Sequence, residues 1–289
     1  MHLATIPETA GRTWQPPRAA VDLRRPDKLL CIDVETVPAA ALVPEDWGSQ
    51  MPKPLWNRIV CVSFVEARIE RAAPDGPETY AVERVASGGD VDWDEPRILA
   101  GFWRLLERGN YRLATWNGRS FDLPVLRARA FVHGISTGVW HRRGGRWDGY
   151  GQRYSDEYHA DVMDLLSAHG AAAKMRLDEA AKAIGLPGKI GENGAMVADL
   201  YANGDLPRIR AYCETDTIQT FYLYNRYALL SGRTNRSGHD ASAASMTEYL
   251  QRERIARPHL GIFLDHWLGR SDALTPEPAA GATPQASDH

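Results

Sequence analysis

Apolar positions along this chain recur first at a period of two and later at a helical period. Residues 28–35 form a short apolar run (Leu29, Leu30, Cys31, Ile32, Val34) that reads as a buried strand. Residues 58–68 carry Ile59, Val60, Cys61, Val62, Phe64 and Val65 and read as a second strand. Residues 78–86 alternate roughly and read as a third. Over 95–108 the spacing lengthens: Ile98, Leu99, Phe102, Trp103, Leu105 and Leu106 line one helical face behind Asp94, a residue suited to an N-cap. Residues 111–116 predict a strand that stops at the Asn117-Gly118 turn signal. A helix follows over 123–133, with Pro124 in its first turn, and a last short strand over 159–162.

The remaining pattern is helical. Residues 177–184 predict a short helix stopped by Gly185 and Pro187, 207–230 a long one, and 246–268 a helix broken near Pro258. Strands first, then strand–helix units, then helices indicate the α/β class, with one mixed sheet flanked by helices. Residues 135–158 show no element, and a loop of that length is often functional. Residues 1–27, rich in Pro and Arg without periodicity, read as a flexible arm, and 271–289 as a disordered tail. Between them lie a domain over 28–230 and a helical extension over 231–270.

Composition changes this picture little. Hydrophobic residues make up 44% and charged residues 25%, so a sizeable core is available. No stretch approaches the roughly 18 apolar residues of a membrane span. Three cysteines without a CxxC pair suggest reduced thiols in the cytoplasm. A net charge of −3 argues at first against a nucleic-acid partner. Two bound divalent cations would more than offset it. Charge is also uneven: Arg127, Arg129, Arg142, Arg143, Arg146 and Arg153 stand against the single acid Asp148 between 127 and 153.

The chemistry sits in three separated segments. Asp33 and Glu35 are two apart on a strand, so both side chains leave the same face. Adjacent acids on a buried strand are costly unless a cation neutralises them, or the strand end reaches solvent. Asp122 closes Asn117-Gly118-x-x-Phe121-Asp122, where it is either a ligand or a helix cap. Tyr212 and Asp216 are four apart on the long helix and share a face. Alone they read as a core aromatic and a surface acid. Four carboxylates from three segments suit hard Mg²⁺ or Mn²⁺ ions. Two such ions about 4 Å apart activate a water and stabilise the leaving 3′-oxygen of an in-line displacement. Tyrosine, with a free pKa near 10, is a poor base at pH 7, so Tyr212 is given a positioning role. Trp140, Trp147, Tyr150 and Tyr154 interleave with the arginines of the long loop, a pattern that either holds single strands or forms a solvated surface. His159 and Asp161 read as a strand end anchoring a helix start, or as a second metal pair.

D-x-E, then N-G-x-x-F-D, then Y-x-x-x-D resembles the three motifs of the DEDD superfamily of 3′–5′ exonucleases, in the branch marked by the tyrosine. The resemblance covers residues 28–230 and is strongest to the exonuclease domain of family-B DNA polymerases and its stand-alone bacterial relatives. Leu186-Pro187-Gly188-Lys189, Tyr201-x-x-Gly204 and Ile209-x-x-Tyr212-Cys213-x-x-Asp216 fit that subgroup. The resemblance implies a ribonuclease H-like fold with a five-stranded mixed sheet. It implies Asp33, Glu35, Asp122 and Asp216 as ligands of two divalent cations, and Tyr212 as the group orienting the attacking water. It suggests Asn117 as a contact to the terminal nucleotide, the alternative being that Asn117 only shapes the turn; Phe121 reads as an anchor of that turn in the core and is added as a substrate-binding residue. Arg142, Arg143 and Arg146 are added as strand-binding residues from the basic loop. The expected activity is removal of 5′-mononucleotides from the 3′ end of single-stranded nucleic acid, DNA in preference to RNA, with replication or repair proteins as further partners. An inert nucleic-acid-binding or partner-recruiting module on the same fold is the rival reading, and the presence of all five residues argues against it. Oligomeric state is not encoded in any of these features.

Overall fold

The computed structural model describes residues 25–44, 46–47, 53–190 and 194–274. Most of the expected flexible arm, 1–24, and most of the expected tail, 275–289, lie outside the described residues. Five strands form one sheet: β1 (Lys28–Pro38), β2 (Asn57–Arg71), β3 (Glu78–Gly88), β4 (Tyr111–Thr115) and β5 (His159–Asp161). Their spatial order is β3-β2-β1-β4-β5. The first three strands pair antiparallel, and β4 and β5 join β1 in parallel. This mixed sheet, with helices on both faces, is the ribonuclease H-like arrangement.

Alternation along β1 distributes two cores. Leu29 and Cys31 face the long helix α7 (Leu206–Leu230), α8 (Arg236–Glu253) and α9 (Pro258–Leu274). Leu30, Ile32 and Val34 face α1 (Glu95–Arg108) and α2 (Asp122–Val132). By the same alternation Asp33 and Glu35 fall on the α7 face. The pairing of β1 with β2 slips between Glu35 and Thr36. A bulge of this kind bends the strand and re-aims the side chains beside it.

The stretch expected to lack structure is folded. It contains α3 (Gly138–Arg142), and Trp140, Tyr150 and Tyr158 are buried in the core beneath α2. Trp140 and Tyr150 stack with centroids 5.6 Å apart, and the Tyr150 hydroxyl donates to the Tyr111 carbonyl at 2.7 Å. The tally of arginines hid this, because Trp140 and Tyr150 between them pack inward, while Trp147 and Tyr154 stay exposed. Two shorter helices, α4 (Val162–Leu166) and α6 (Val197–Ala202), also went unpredicted, while α5 (Leu177–Ala183) matches its expected position.

Helix α8 begins ten residues before its expected start. Its first turns carry small polar residues whose role is to cover a sheet edge. Ser242 Oγ and Ser245 Oγ accept from the β3 backbone N–H groups of Tyr80 (2.8 Å) and Val82 (2.9 Å). Edge-strand donors are thus satisfied without a further strand. A Cβ on Gly238 would lie 2.6 Å from the Glu78 carbonyl, so only glycine permits this approach.

A buried ion pair fastens the open end of the sheet. Arg112 on β4 is fully buried and donates to Glu78 on β3 at 2.6 Å. Arg71 on β2 donates to the same carboxylate at 2.6 Å, and Tyr80 at 2.8 Å. Arg112 also reaches the Tyr224 hydroxyl of α7 at 3.1 Å. Burial alone would raise the Glu78 pKa, but Arg112 and Arg71 overrule it and hold the carboxyl at about 2. A depressed folded-state pKa contributes stability above the ordinary value of 4.5 that is lost as pH falls through about 2. Thermal melts of Glu78→Gln should show a weaker acid dependence between these limits than the unmodified protein. At neutral pH the substitution should cost up to roughly 3–5 kcal/mol, because it leaves the buried Arg112 guanidinium with Glu157, at 3.1 Å, as its remaining carboxylate partner among the described residues. An unaltered acid limb in the variant would assign that stability to other carboxylates.

Candidate active site

Three elements end at one cleft of about 900 Å³. β1 contributes Asp33 and Glu35, the turn after β4 contributes Asn117, Phe121 and Asp122, and α7 contributes Tyr212 and Asp216. The four carboxylates and the tyrosine singled out in sequence therefore share one concavity. Lys189, Lys174, Arg176 and Asp178 complete its charged lining.

The turn after β4 is built to present Asp122. Asn117 has φ +66°, a left-handed conformation that Asn tolerates better than most residues. A Cβ on Gly118 would meet the Thr115 side chain at 2.5 Å. Asp161, at the end of β5, accepts from the N–H groups of Asn117 (2.9 Å) and Arg119 (2.8 Å). Its role is thus to clamp the turn and cap α4. Asp164 is paired with Arg153 and His169, so the alternative of a second metal pair at His159 and Asp161 gains no third ligand there.

Asp122 and Asp216 are buried, and Asp33 and Glu35 are half-buried with only the cleft before them. Burial, then the charge of Asp216, lifts Asp33 to about 7. Burial, then Asp33, lifts Glu35 well above the carboxylate range, and the same two causes lift Asp122. Asp216 rises to about 6 through burial, against the pull of Lys189 and a hydrogen bond from Tyr212. The cluster is short of positive charge, an imbalance that a divalent cation would relieve.

The donors fit a hard divalent cation. One ligand atom from each of Asp33, Glu35 and Cys213 lies within 4.8 Å of the others. The Cys213 thiol, however, donates to Asp33 Oδ2 at 3.4 Å, and burial pushes its pKa up, so it remains a thiol. Carboxylate oxygens are left as the ionic ligands, which suits Mg²⁺ or Mn²⁺ rather than a thiolate-bound metal.

Lys189 entered the sequence reading only as the last residue of the Leu186-Pro187-Gly188-Lys189 run. Its Nζ donates to the Tyr212 hydroxyl at 2.6 Å. The turn Leu186-Pro187-Gly188 delivers it, with Gly188 at φ +72° and Asp178 accepting from the Lys189 N–H at 2.8 Å. The expected strand-binding arginines are not in the cleft. Arg142 pairs with Glu107 at 2.9 Å, buried Arg143 donates to Asn110 at 2.8 Å, and Arg146 lies over the exposed Trp147 ring. Arg143 in particular is a core-satisfying residue, contrary to its assignment from charge alone.

A family profile described as "predicted 3'-5' exonuclease related to the exonuclease domain of PolB" matches residues 49–267. The chain belongs to this family. The matched stretch of this exonuclease family includes Asp122, Lys189, Tyr212 and Asp216 and begins after Asp33 and Glu35, whose assignment rests on their place in the cleft. The stretch also takes in α8 and most of α9. Among solved structures, the family-B DNA polymerase from the hyperthermophilic archaeon Pyrobaculum calidifontis is similar, with a TM-score of 0.49 and 17% identity over 80% of this chain. The chain spans 29% of the length of that polymerase. No curated protein matches the sequence. No helix among the described residues is long and apolar enough to cross a membrane.

Crowded, desolvated carboxylates should weaken the metal-free protein. Asp33 has a folded pKa near 7 against an ordinary 3.8, so its contribution is favourable below 3.8 and is lost as pH rises through 7. In EDTA at pH 8, Asp33→Asn should therefore melt several degrees above the unmodified protein, and the two should converge near pH 4. About 1 kcal/mol moves Tm by roughly 2–4 °C in a domain of this size. Added Mn²⁺ should raise the Tm of the unmodified protein and leave the variant nearly unmoved. Equal responses to Mn²⁺ would remove Asp33 from the ligand set.

Proposed function

We propose that this chain is a metal-dependent nuclease that removes 5′-mononucleotides from the 3′ end of single-stranded DNA or RNA. The observation that carries the reading is the meeting of Asp33, Glu35, Asp122 and Asp216 with Tyr212 in one cleft. Membership of a 3′–5′ exonuclease family supports the polarity. In this reading the four carboxylates hold the divalent cations, which supply activation of water and charge neutralisation at the leaving oxygen.

The remaining chemistry belongs to the chain. Tyr212 is driven far above its ordinary pKa by burial, then by Asp216 and Glu35. It stays protonated and acts as a donor, not as a base. Its oxygen accepts from Lys189, which turns the phenolic proton toward Asp216 and the cleft. Tyr212 thereby orients water at the scissile phosphate, and Lys189 fixes the orientation. Asn117 Oδ1 is buried and has no hydrogen-bond partner among the described residues, and Asn117 lines the cleft. An acceptor in that position suits a terminal sugar hydroxyl. Phe121, on the same wall, offers a ring face to the terminal base. A narrow site of this kind favours single strands, because a paired terminus must first be unstacked at a cost of a few kcal/mol.

End-labelled single strands incubated with Mn²⁺ should lose mononucleotides from the 3′ end, and a blocked 3′ terminus should stop the reaction. Internal cuts in a 3′-blocked strand would favour an endonuclease. Asp33→Asn should abolish measurable turnover. Tyr212→Phe should lower kcat on the order of 10²–10⁴-fold while metal affinity survives, as for loss of a positioned group. Asp216→Asn, one turn along the same face, should lose metal affinity as well as rate. Full activity in Tyr212→Phe would return Tyr212 to the role of a core aromatic.

A further inference from the structure

The acidic cleft has a neighbour of opposite charge. Ser120 and Lys174 belong to its wall and also to that of a second cavity of about 430 Å³. Arg119, Arg127, Arg153 and Lys174 line this second space, against the single acid Asp164. Asp164 is already engaged by Arg153 at 2.8 Å and His169 at 3.0 Å. Arg119 is held in place by the carbonyls of Gln152 (2.6 Å) and His159 (2.9 Å), and the charges of Asp161 and Asp164 partly offset its own. Arg127 and Lys174 are exposed, and neither has an ion-pair partner among the described residues. The Arg127 guanidinium lies 5.3 Å over the Trp140 ring, which limits its freedom. On the same wall His159 is fully buried, with Nε2 at 2.9 Å from Thr115 Oγ1 and Nδ1 without a hydrogen-bond partner among the described residues. Buried polar atoms are rarely left unsatisfied in a finished site.

We propose that this basic cavity holds backbone phosphate of the strand on the 5′ side of the bond being cut. The inference rests on the nuclease reading of the adjoining cleft. A strand whose 3′ end lies among the carboxylates must leave them at once, because every further nucleotide adds a negative charge. Arg127 and Lys174, exposed and without an ion-pair partner among the described residues, are the adjoining place where that charge is welcome. The strand-binding role that the sequence suggested for Arg142, Arg143 and Arg146 passes to Arg127 and Lys174. The protein then distinguishes a polynucleotide from a dinucleotide.

The test is binding without cleavage. Fluorescence anisotropy in EDTA compares 5′-labelled oligothymidylates of two, four and six nucleotides over a range of salt, for the intact protein and for Arg127→Gln, Lys174→Gln and the double variant. Thermal melts confirm that these surface substitutions leave the fold intact. The intact protein should bind the hexamer more tightly than the dimer, and each substitution should shrink that advantage. The slope of log K against log salt should fall by about 0.7 for each phosphate that is no longer neutralised. A neutral methylphosphonate at the second linkage from the 3′ end should weaken binding to the intact protein and leave the double variant unaffected. An unchanged length advantage and salt slope in the double variant, or no length advantage in the intact protein, overturns the proposal. So does a double variant that retains the length advantage but no longer releases labelled oligomer to competing free thymidine 5′-monophosphate, which would make the cavity a product site. Cleavage is absent from these assays, so a protein that shows the length effect yet cuts nothing contradicts the nuclease reading alone.

Discussion

Mutual repulsion among Asp33, Glu35, Asp122 and Asp216 is the constraint that the surrounding structure has to answer. Each acid is carried by an element with its own reason to be in place. β1 is the central strand and is fixed by apolar residues on both faces. The turn before Asp122 is fixed by Asp161, by the left-handed Asn117 and by the absence of a side chain on Gly118. α7 is packed along the sheet over most of its length. The acids are thereby held together by forces that do not depend on their own charge. Stability is sacrificed locally and recovered elsewhere, which is common where a site must be ready for a ligand.

Much of this was legible in the sequence, for identifiable reasons. β1 to β5 and the longer helices follow from periodicity because their buried faces are apolar. Spacing tells which cleft residues share a face, i, i+2 for Asp33 and Glu35 and i, i+4 for Tyr212 and Asp216, and the resemblance to the three exonuclease motifs joins Asp122 to them. What periodicity missed was built by other means. The beginning of α8 is small and polar because it satisfies strand-edge donors through Ser242 and Ser245. The interior of 135–158 is aromatic but irregular, so Trp140 and Tyr150 carried no period to detect. Buried Arg112 and Arg143 look like surface charge in any tally, and only three-dimensional pairing with Glu78 and Asn110 shows otherwise.

Charge along the cleft is ordered rather than balanced. The net value of −3 conceals a carboxylate pole and a guanidinium pole separated by Ser120 and Lys174. Under the proposed function such a division suits a polyanion with one reactive end: carboxylates that would hold metal ions at the bond to be broken, and fixed cations along the chain that remains. Lys189 stands between the two requirements. It is the cation drawn closest to the carboxylates, and its hydrogen bond to Tyr212 turns a charge into an orientation.

The helical C-terminal region enters the same argument through Glu214. This residue lies on α7 between Tyr212 and Asp216 in sequence but faces away from the cleft. Its carboxylate accepts from Arg257 and from Ser87 at 2.7 Å, and lies 2.7 Å from His259. Arg257 also donates to the Val85 carbonyl of β3 at 2.7 Å. The turn of α7 that carries Tyr212 and Asp216 is thus tied on its far side to β3 and to the residues that open α9. At the other end of the helix, Tyr224 is tied to Arg112 and so to Glu78. Two anchorages at either end of the segment from 212 to 224 resist rotation of the helix about its axis. Rotation by one residue, about 100° for 3.6 residues per turn, would carry Asp216 out of the cleft. The ionic groups that a composition count would place on the surface therefore fix the angle at which α7 offers its acid and its tyrosine.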